Sequence, residues 1–536
     1  MSSILYRYAQ LPEPAFKHDD LPRRWAVLVR DGVIARIEPC PLPGGSTAEA
    51  EADEIVDLNG ALLLPGFVDA HAHVTDTGLL LAGVDCSAAR SVTEILDAVA
   101  AAAAAAPGRP VLGHGWDELL LTGNRPPTAQ ELDNASGGAV VYLSRVDVHS
   151  AVVSGALADL AQLKELEGWD DSGRVERDAH HAARHATRFG MPQERRRELQ
   201  LLALRHATAQ GLIQVHEMSA PHIAPDEDLL DLLDLPASGE PDLPEIVAYR
   251  GELAADEAAV RGVLERFGGR LAGLAGDLMM DGSFGSRTAG LHTDYEDAPG
   301  HRGHLYADAG QVHDHLVACT RAGVQGGFHV IGDAAVAELV KGLRQAAWTL
   351  GDDAVAAATH RLEHVEGISD DDILTLADLD VIASVQPAFD ATWGGYGQMY
   401  ALRLGAWRSQ GLNPFLTMLR SGVNLAFGSD SPVTPFAPWE GLRAALTHHN
   451  PAQRLDLRTA IEAHTIGGLR AARRPAPATI RVGEGDPATF VAWDSPGIRV
   501  AAASEHPSPL AALTEELKGG DAVPRLVPLR DSGPAA

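Results

Sequence analysis

Eight short apolar segments, separated by longer stretches of helical pattern, constrain the fold of this chain more than any other feature of its sequence. Strands that alternate with helices indicate βαβ units, in which consecutive strands run parallel. Eight such units predict an α/β fold, a (β/α)8 TIM-like barrel, whose active site gathers at the carboxyl ends of the strands. The predicted strands occupy residues 67–73, 212–218, 245–251, 276–282, 326–333, 360–366, 381–389 and 424–430.

Both ends of the chain have a different, β-rich pattern. Residues 25–38 form two strand-like runs joined at Asp31-Gly32, a dipeptide typical of tight hairpins, and residues 479–495 again alternate short strands with turns. These ends predict one small β-sandwich built from both termini, with two unrelated flanking hairpins as the alternative. The predicted regions are residues 1–64 for the first part of the sandwich, 65–468 for the barrel, and 469–536 for the second part and tail.

The stretch between the first two predicted barrel strands is too long for a single crossover. It contains a helix signal that begins at Ser91, a poly-Ala tract, and strand-like runs at residues 111–118 and 140–150. We therefore expect an insertion of about residues 75–211 that leans over the barrel mouth and shapes the substrate site.

Composition restricts the class of partner. The formal net charge of −30 argues against binding to nucleic acid or to an anionic membrane surface. No apolar segment follows a basic amino terminus, and no apolar run reaches the roughly 20 residues that span a bilayer. Three widely spaced cysteines do not suggest a disulfide framework. The sequence predicts a cytoplasmic protein that acts on a small molecule, with a homo-oligomer as the usual expectation for its assembly.

Two histidines follow the first predicted barrel strand. His71 and His73 are two positions apart, so a strand end can present both rings to one ion from the same side. His329, His364 and Asp430 lie at the ends of predicted strands five, six and eight, which meet at one barrel mouth. Imidazole and carboxylate ligands together suit zinc, with manganese, iron or nickel as alternatives.

Four motifs in the same order carry a resemblance to a known family: PGFVDAHAHV, FHVIGD, HRLEH and GSDSP, supported by GWDE, RVDVHS and DGSFGSRTA. The chain resembles the amidohydrolase superfamily and, within it, amidohydrolase family 3, the branch that includes N-substituted formamide deformylase. The resemblance extends from about residue 25 to 495. It implies a TIM-like barrel, a β-sandwich from both termini, and metal-dependent hydrolysis, usually of a C–N bond.

The resemblance also implies roles for individual residues. His71, His73, His329 and His364 match the metal ligands of the family, and Asp430 matches the aspartate that binds metal and moves protons. A bound metal would lower the pKa of its water to about 7. Asp430 would accept the proton of that water and pass it to the leaving nitrogen, while the metal, with an imidazole such as His364, would stabilise the oxyanion.

One position departs from the family pattern. Many members carry a strand-four lysine whose carbamate bridges two metals, and Asp277 stands at that position here. A carboxylated lysine is excluded, because none of the four lysines falls on a predicted barrel strand: Lys17, Lys164, Lys341 and Lys518. We favour one catalytic zinc, with a second metal bound through Asp277 as the alternative. Glu217, at the end of predicted strand two, is either a further ligand or an ion-pair partner at the barrel rim.

Weaker candidates for substrate contact lie in or near these motifs: Trp116, Asp117, His149, Arg287, Asp333, Arg361 and Trp393. Asp333 and Arg361 are equally suited to hold the histidines from behind. His180, His181 and His185 have helical spacing in a polar segment, which favours a solvated helix face over a metal trap.

These features together predict a metal-dependent amidohydrolase that cleaves an amide-type C–N bond, other than a peptide bond, of a small molecule. One alternative is a metal-dependent deaminase of a nucleobase-like or amidine substrate. Another is a non-catalytic small-molecule-binding relative, against which the intact set of candidate ligands argues.

Overall fold

The computed structural model describes residues 3–12, 24–40, 45–188, 190–235, 243–503, 508–520, 523–527 and 529. Its central sheet has eight parallel strands, neighbours in the order in which they follow along the chain. Barrel strands one to eight are Phe67–Ala72, Leu212–Ser219, Glu245–Arg250, Leu271–Leu274, Gln325–Val330, Arg361–His364, Ile382–Val385 and Asn424–Phe427.

Backbone hydrogen bonds bring the last strand of this sheet against the first. The amide of Asp430 donates to the carbonyl of His71 at 2.7 Å, and the amide of His73 donates to the carbonyl of Ser431 at 2.8 Å. These bonds join the segments that follow strands one and eight, so the sheet is nearly closed. The predicted (β/α)8 barrel is confirmed.

Barrel strand four lies earlier than predicted. It is the short segment Leu271–Leu274, and residues 276–282 follow it across the barrel mouth. Gly276 has a left-handed backbone with φ +78°, and the amide of Leu278 donates to the carbonyl of Gly276 at 2.8 Å. A left-handed residue and a tight turn are incompatible with an extended strand. Asp277 therefore lies on a turn beyond the strand rather than on the strand itself.

Helices fill the gaps between the barrel strands and pack outside the sheet. The predicted strand at 381–389 ends at Val385, because Pro387 begins a helix. The described α-helices are Val74–Ala82, Val92–Ala105, Ala129–Ser136, Gly155–Leu160, Arg177–Arg188, Gln193–Ala209, Asp226–Asp234, Glu257–Arg266, Ala309–Ala322, Asp333–Leu350, Asp352–Ala358, Asp370–Asp378, Pro387–Trp393, Met399–Leu404, Ala406–Ser409, Phe415–Arg420, Pro438–Thr447, Leu457–Glu462, Gly468–Ala471, Pro496–Ala503 and Pro509–Lys518. Short 3-10 turns span Thr47–Glu51, Leu163–Glu165 and Pro451–Gln453, and a π-helical turn spans Ala463–Gly467.

Two further sheets form the small β domain. The first contains, in spatial order, Val33–Pro39, Trp25–Arg30, Ser3–Ala9 and Glu54–Asp57, and the second contains Arg525–Val527, Phe490–Asp494 and Leu62–Pro65. The second sheet therefore pairs strands from both ends of the chain. Val27, Leu63 and Phe490 share one apolar core between the sheets. The predicted sandwich is confirmed, and its predicted tail after residue 529 lies outside the described residues.

The segment between barrel strands one and two folds around a sheet of its own. Its strands, in spatial order, are Arg174–Glu176, Ser150–Val153, Val141–Arg145, Val111–Trp116 and Val84–Asp85. The Ser91 side chain accepts a hydrogen bond from the amide of Glu94, which caps the helix Val92–Ala105 where the sequence predicts its start. Among the described residues, no helix is long and apolar enough to cross a lipid bilayer.

Candidate metal centre

The side chains predicted as metal ligands meet at the carboxyl ends of the barrel strands. His71, His329 and His364 belong to barrel strands one, five and six, while His73 and Asp430 follow strands one and eight directly. All five are at least nine-tenths buried. The sixth candidate ligand, Asp277, reaches the same place from the turn after strand four.

Four of these side chains have the spacing of ligands around one ion. His71 Nε2 lies 3.4 Å from oxygens of both Asp277 and Asp430, and His73 Nε2 lies 3.3 Å and 3.2 Å from oxygens of the same two residues. Tetrahedral zinc with ligand bonds of about 2.0–2.1 Å places neighbouring ligand atoms about 3.3 Å apart. The Nε2 atoms of His71 and His73 are therefore separated from oxygens of both aspartates by the distances expected between neighbouring ligands of a tetrahedral ion.

Asp277 also belongs to a second group of potential ligands. One ligand atom each of Asp277, His329 and His364 lies within 4.8 Å of the others. His329 Nδ1 is 3.7 Å from Asp277 Oδ1, and the rings of His329 and His364 have centroids 4.5 Å apart. Asp277 thus lies between two adjacent groups of histidines.

Hydrogen bonds on the far side of each ring direct the other nitrogen toward this centre. His71 Nδ1 donates to Glu363 Oε2 at 2.9 Å, and His364 Nδ1 donates to Gln386 Oε1 at 2.8 Å. The opposite nitrogens, His71 Nε2 and His364 Nε2, are buried and have no hydrogen-bond partner among the described residues. Metal-binding histidines in proteins are held in this way, with one nitrogen bonded to the protein and the other left for the ion.

The other two histidines extend the pattern in part. His329 Nε2 donates to the carbonyl of Gly282 at 3.2 Å, which leaves Nδ1 to face Asp277. His73 presents Nε2 to the two aspartates, while its Nδ1 is buried without a hydrogen-bond partner among the described residues. Asp277 Oδ1 and Asp430 Oδ1 are likewise buried without a hydrogen-bond partner there. Orphaned polar atoms this dense in one buried place fit a bound cation.

The electrostatics of the centre also fit a cation. Burial lowers the pKa of His71, but the nearby carboxylates of Asp430, Asp277 and Glu363 outweigh it and raise that pKa to about 10. Burial and the neighbouring rings of His329 and His71 instead lower the pKa of His364 to about 3. The carboxylates that attract a proton to His71 would equally compensate the charge of a divalent metal.

The backbone after barrel strand eight places Asp430 beside strand one. Asp430 has a left-handed backbone with φ +54°, a conformation that aspartate tolerates better than most residues. A Cβ atom on Gly428 would lie 2.6 Å from the amide nitrogen of His71, so glycine is needed for this approach. Strand eight can therefore come close enough for Asp430 to face His71 and His73.

A second close approach compensates for the short side chain of Asp277. The chain leaves barrel strand four at Leu274 and turns inward through Gly276. A Cβ atom on Gly251, just after strand three, would lie 2.7 Å from the carbonyl carbon of Asp277. The backbone of Asp277 thus passes close to the end of strand three, and its carboxylate lies 3.4 Å from His71 Nε2 and 3.3 Å from His73 Nε2.

The motifs GWDE, RVDVHS and DGSFGSRTA meet in one buried ion-pair network. Arg145 is fully buried and forms ion pairs of 2.8–3.1 Å with three carboxylates, those of Asp117, Glu118 and Asp147. The Ser283 hydroxyl donates to Asp147 at 2.6 Å. Burial raises the pKa of Asp147, but the Arg145 charge outweighs burial and holds that pKa well below its usual value. The network fastens the insertion to the loop after strand four, which carries Asp277.

Two of the seven weaker substrate-contact candidates, His149 and Trp393, lie at the centre. Both line a small cavity beside His329 and His364. Trp116 lies elsewhere, because its ring is fully buried in the apolar core of the inserted sheet and its indole N–H donates to the carbonyl of Leu143 at 2.8 Å. The prediction of substrate contact is therefore wrong for Trp116.

Arg361, Arg287 and Asp333 also lie away from the cavity. Arg361 is fully buried inside the barrel, and its Nε donates to Glu363 at 2.6 Å, so it supports the carboxylate that holds His71. Arg287 pairs with Asp297 at 2.7 Å, and Asp333 begins the helix after strand five. Of the two roles that the sequence allows for Arg361, substrate contact or support of the histidines, its contacts fit the second. Glu363 was not among the predicted residues. It lies two positions after Arg361 on strand six, so both side chains point to the same face of the strand.

Two further predictions concern carboxylate and histidine positions near the mouth. Glu217 Oε2 accepts a hydrogen bond from the amide of Val74 at 2.7 Å, which stabilises the start of the helix after His73. His180 is buried and hydrogen-bonds the Tyr142 hydroxyl at 2.8 Å, so a solvated face is wrong for His180. His185, on the opposite side of the helix, is exposed as predicted.

A nearly closed parallel barrel with four imidazoles and two carboxylates at its carboxyl-end mouth defines a metal-binding barrel protein. The chain belongs to the amidohydrolase family, whose model matches residues 54–512. It is accordingly a metal-dependent hydrolase.

Individual relatives are distant but cover most of the chain. The putative amidohydrolase YtcJ of Bacillus subtilis is 25% identical over 473 residues, which are 83% of this chain and 86% of that protein. The N-substituted formamide deformylase of Arthrobacter pascens is 24% identical over 460 residues, 80% of this chain and 81% of that protein. A solved structure of an uncharacterized metal-dependent hydrolase from Pyrococcus furiosus covers 92% of this chain and 99% of its own, with TM-score 0.69 and 24% identity. It shows the same fold.

Proposed function

We propose that this chain hydrolyses an amide-type C–N bond, other than a peptide bond, of a small molecule. The observation that carries the proposal is the set of buried, unpartnered ligand atoms that face one another across Asp277. The name of the Arthrobacter relative, N-substituted formamide deformylase, supports an amide substrate.

The ligand geometry favours two adjacent metal positions over one. His71, His73 and Asp277 form one group of potential ligands, and Asp277, His329 and His364 form another. Asp430 lies beside His71 and His73 and also forms a group with His71 and His364. Nitrogen and carboxylate ligands suit zinc at both. Asp277 would take the bridging role of the carboxylated lysine found in many relatives, since no lysine is present here to supply it.

A bound metal of this kind would supply hydroxide at neutral pH and would polarise the substrate oxygen. Asp430 is buried beside His71 and His73, so its carboxylate is placed to accept a proton from the attacking water. The same carboxylate would return that proton to the leaving nitrogen, as general acid–base catalysis requires. His364, held by Gln386 through Nδ1, would leave Nε2 free to bind the metal that polarises the substrate oxygen. The aromatic rings of Phe389 and Trp393 line the cavity and exclude water.

The replacement Asp430→Asn tests this proposal. The variant keeps the shape of the side chain but cannot accept a proton, so we expect it to retain fold and metal and to lose at least about a hundredfold in kcat. The control is Asp159→Asn, at an exposed residue that pairs with the exposed Lys164, and it should leave kcat unchanged. Undiminished turnover of the Asp430 variant would refute the proton-transfer role.

The products separate the proposed reaction from the alternatives. Hydrolysis of N-formyl and N-acetyl amides releases an amine and a carboxylate, whereas deamination of an amidine or a nucleobase releases ammonia. Both product types can be measured with the same zinc-loaded protein. Unchanged ligand binding by a metal-free preparation, with no turnover of either class, would instead favour the non-catalytic alternative.

A further inference from the structure

A buried arginine of the insertion lacks a carboxylate partner. Arg184, on the helix Arg177–Arg188, is 5% exposed and its Nη2 donates to the carbonyl of Val148 at 2.8 Å. Its Nε is buried without a hydrogen-bond partner, and no carboxylate of the described chain forms an ion pair with it. The nearby Asp76 is already paired with Arg188, at 2.5 Å. Asp76 acts on the Arg184 charge without bonding to it. Because a buried guanidinium without a bonded anion is costly, the unpartnered Nε of Arg184 indicates an anion that a ligand would supply.

The carbonyl that accepts from Arg184 leads directly to the metal centre. Val148 has φ +54°, a left-handed conformation that is strained for a β-branched residue. The next residue, His149, places its ring with a centroid 5.1 Å from that of His329. The strained turn therefore brings the Arg184 guanidinium to the same loop that presents His149 to a candidate metal ligand.

Two further imidazoles flank the arginine. His181 lies one helical turn before Arg184, and its ring centroid is 5.0 Å from that of His222, which follows barrel strand two. Burial and the Arg184 charge lower the pKa of His181 to about 4 and hold the pKa of His222 well below its usual value. Both pKa shifts favour the neutral imidazole, which can still donate a hydrogen bond, while Arg184 carries the fixed charge.

The other side of the centre is apolar. The cavity beside His364 and Asp430 is lined by five large apolar or aromatic side chains, those of Phe284, Phe389, Trp393, Met399 and Tyr400. His149 lines the same cavity, so its ring lies where the apolar lining meets the loop that Arg184 contacts.

We infer that Arg184, with His149 and His222, forms a binding subsite for a carboxylate group of the substrate. The substrate class is then an amide with an apolar group on one side of the scissile C–N bond and a carboxylate on the other. An N-acyl amino acid with an apolar acyl group, such as N-(phenylacetyl)glycine, has this form. The inference rests on the proposed function for the position of the C–N bond, but the subsite itself is tested by binding alone.

The test is calorimetric titration of the zinc-loaded protein with two matched probes, 3-phenylpropanoate and 3-phenylpropanamide. Because a charged hydrogen-bonded pair discriminates strongly against a neutral partner, we expect the carboxylate to bind at least about tenfold more tightly than the amide. Arg184→Gln should abolish this preference and Arg184→Lys should restore part of it. Arg195→Gln, on the exposed face of the next helix, should leave it intact.

Three results would overturn the subsite. Equal binding of the two probes to the unaltered protein would do so without any variant, even if the Arg184 variants fail to fold. A preference that persists in Arg184→Gln would remove the arginine from recognition. If Arg184→Gln keeps the preference for the carboxylate probe and removal of zinc abolishes it, the metal and not Arg184 binds the carboxylate. Failure of the protein to hydrolyse N-(phenylacetyl)glycine despite a preserved preference would contradict the proposed function and not the subsite.

Discussion

The replacement Glu363→Gln probes the support behind the metal centre. Glu363 and Arg361 are both fully buried, and the Glu363 carboxylate accepts from Arg361 Nε at 2.6 Å, from Arg361 Nη2 at 3.0 Å and from His71 Nδ1 at 2.9 Å. Burial alone would raise the pKa of Glu363, but Arg361 and His71 hold it well below its usual value. A glutamine keeps the size of this side chain but replaces one accepting oxygen with a donor.

The expected effect has two parts. Removing one charge of a buried ion pair leaves Arg361 uncompensated and should cost about 3–5 kcal/mol in the free energy of unfolding of the metal-free protein. Losing the acceptor for His71 Nδ1 should weaken metal binding about 10–100-fold, which corresponds to roughly 1.4–2.7 kcal/mol. Urea unfolding measures the first quantity, and competition with a chelator of known affinity measures the second.

A matched control for this experiment is Glu338→Gln. Glu338 pairs with the exposed Lys341 on an outer helix and accepts from the amide of Ala309 at 2.9 Å, a bond that a glutamine oxygen can also accept. We therefore expect a change of less than about 1 kcal/mol in stability and none in metal affinity. If Glu363→Gln binds metal within twofold of the unaltered protein, the reasoning that Glu363 holds His71 in its ligating orientation is refuted.

Two other predictions concern the turn at Asp277 and the network that supports it. In Gly251→Ala the added Cβ would lie 2.7 Å from the Asp277 carbonyl carbon, so we expect metal affinity, measured by chelator competition, to fall about tenfold or more. The control is Gly262→Ala, where an added Cβ meets nothing within 4 Å and metal affinity should stay unchanged. Arg145 holds the pKa of Asp147 in the folded protein below its unfolded value of about 3.9. The ionised carboxylate therefore stabilises the folded protein above about pH 3.9, and this stabilisation is lost as the pH falls toward the lower pKa of the folded state. Urea unfolding of Asp147→Asn should therefore show a shallower loss of stability between about pH 5 and pH 3 than the unaltered protein, and an equal slope would contradict the assigned ion pair.

Most of the barrel follows from local sequence pattern. Seven of its eight strands lie within or overlap the apolar segments that predict them, because each is buried and ends in a turn or a helix start. Strand four differs, since the residues GDLMMDG resemble a strand while Gly276 adopts a left-handed conformation that only the folded chain reveals. The true strand, Leu271–Leu274, is short and contains a glycine, so its local signal is weak.

The candidate site was predictable to a similar degree. The spacing of His71 and His73 and the strand-end positions of His329, His364 and Asp430 bring all five to one place, which pattern alone could indicate. The supporting contacts of Glu363 could not be predicted, because they depend on which residues face each other across the barrel. The prediction of substrate contact for Trp116 failed because a large aromatic residue in a motif such as GWDE suits a buried core as well as a substrate site. The sequence alone does not distinguish the two.

The metal content of the chain tests the central claim most directly. Elemental analysis of the purified, zinc-saturated protein should give about two metal ions per chain, and Asp277→Ala should hold at most one, because Asp277 contributes to both groups of ligands. About one ion per chain in both proteins would instead indicate a single zinc that is held without Asp277. No tightly bound metal in the unaltered protein would contradict the metal centre itself.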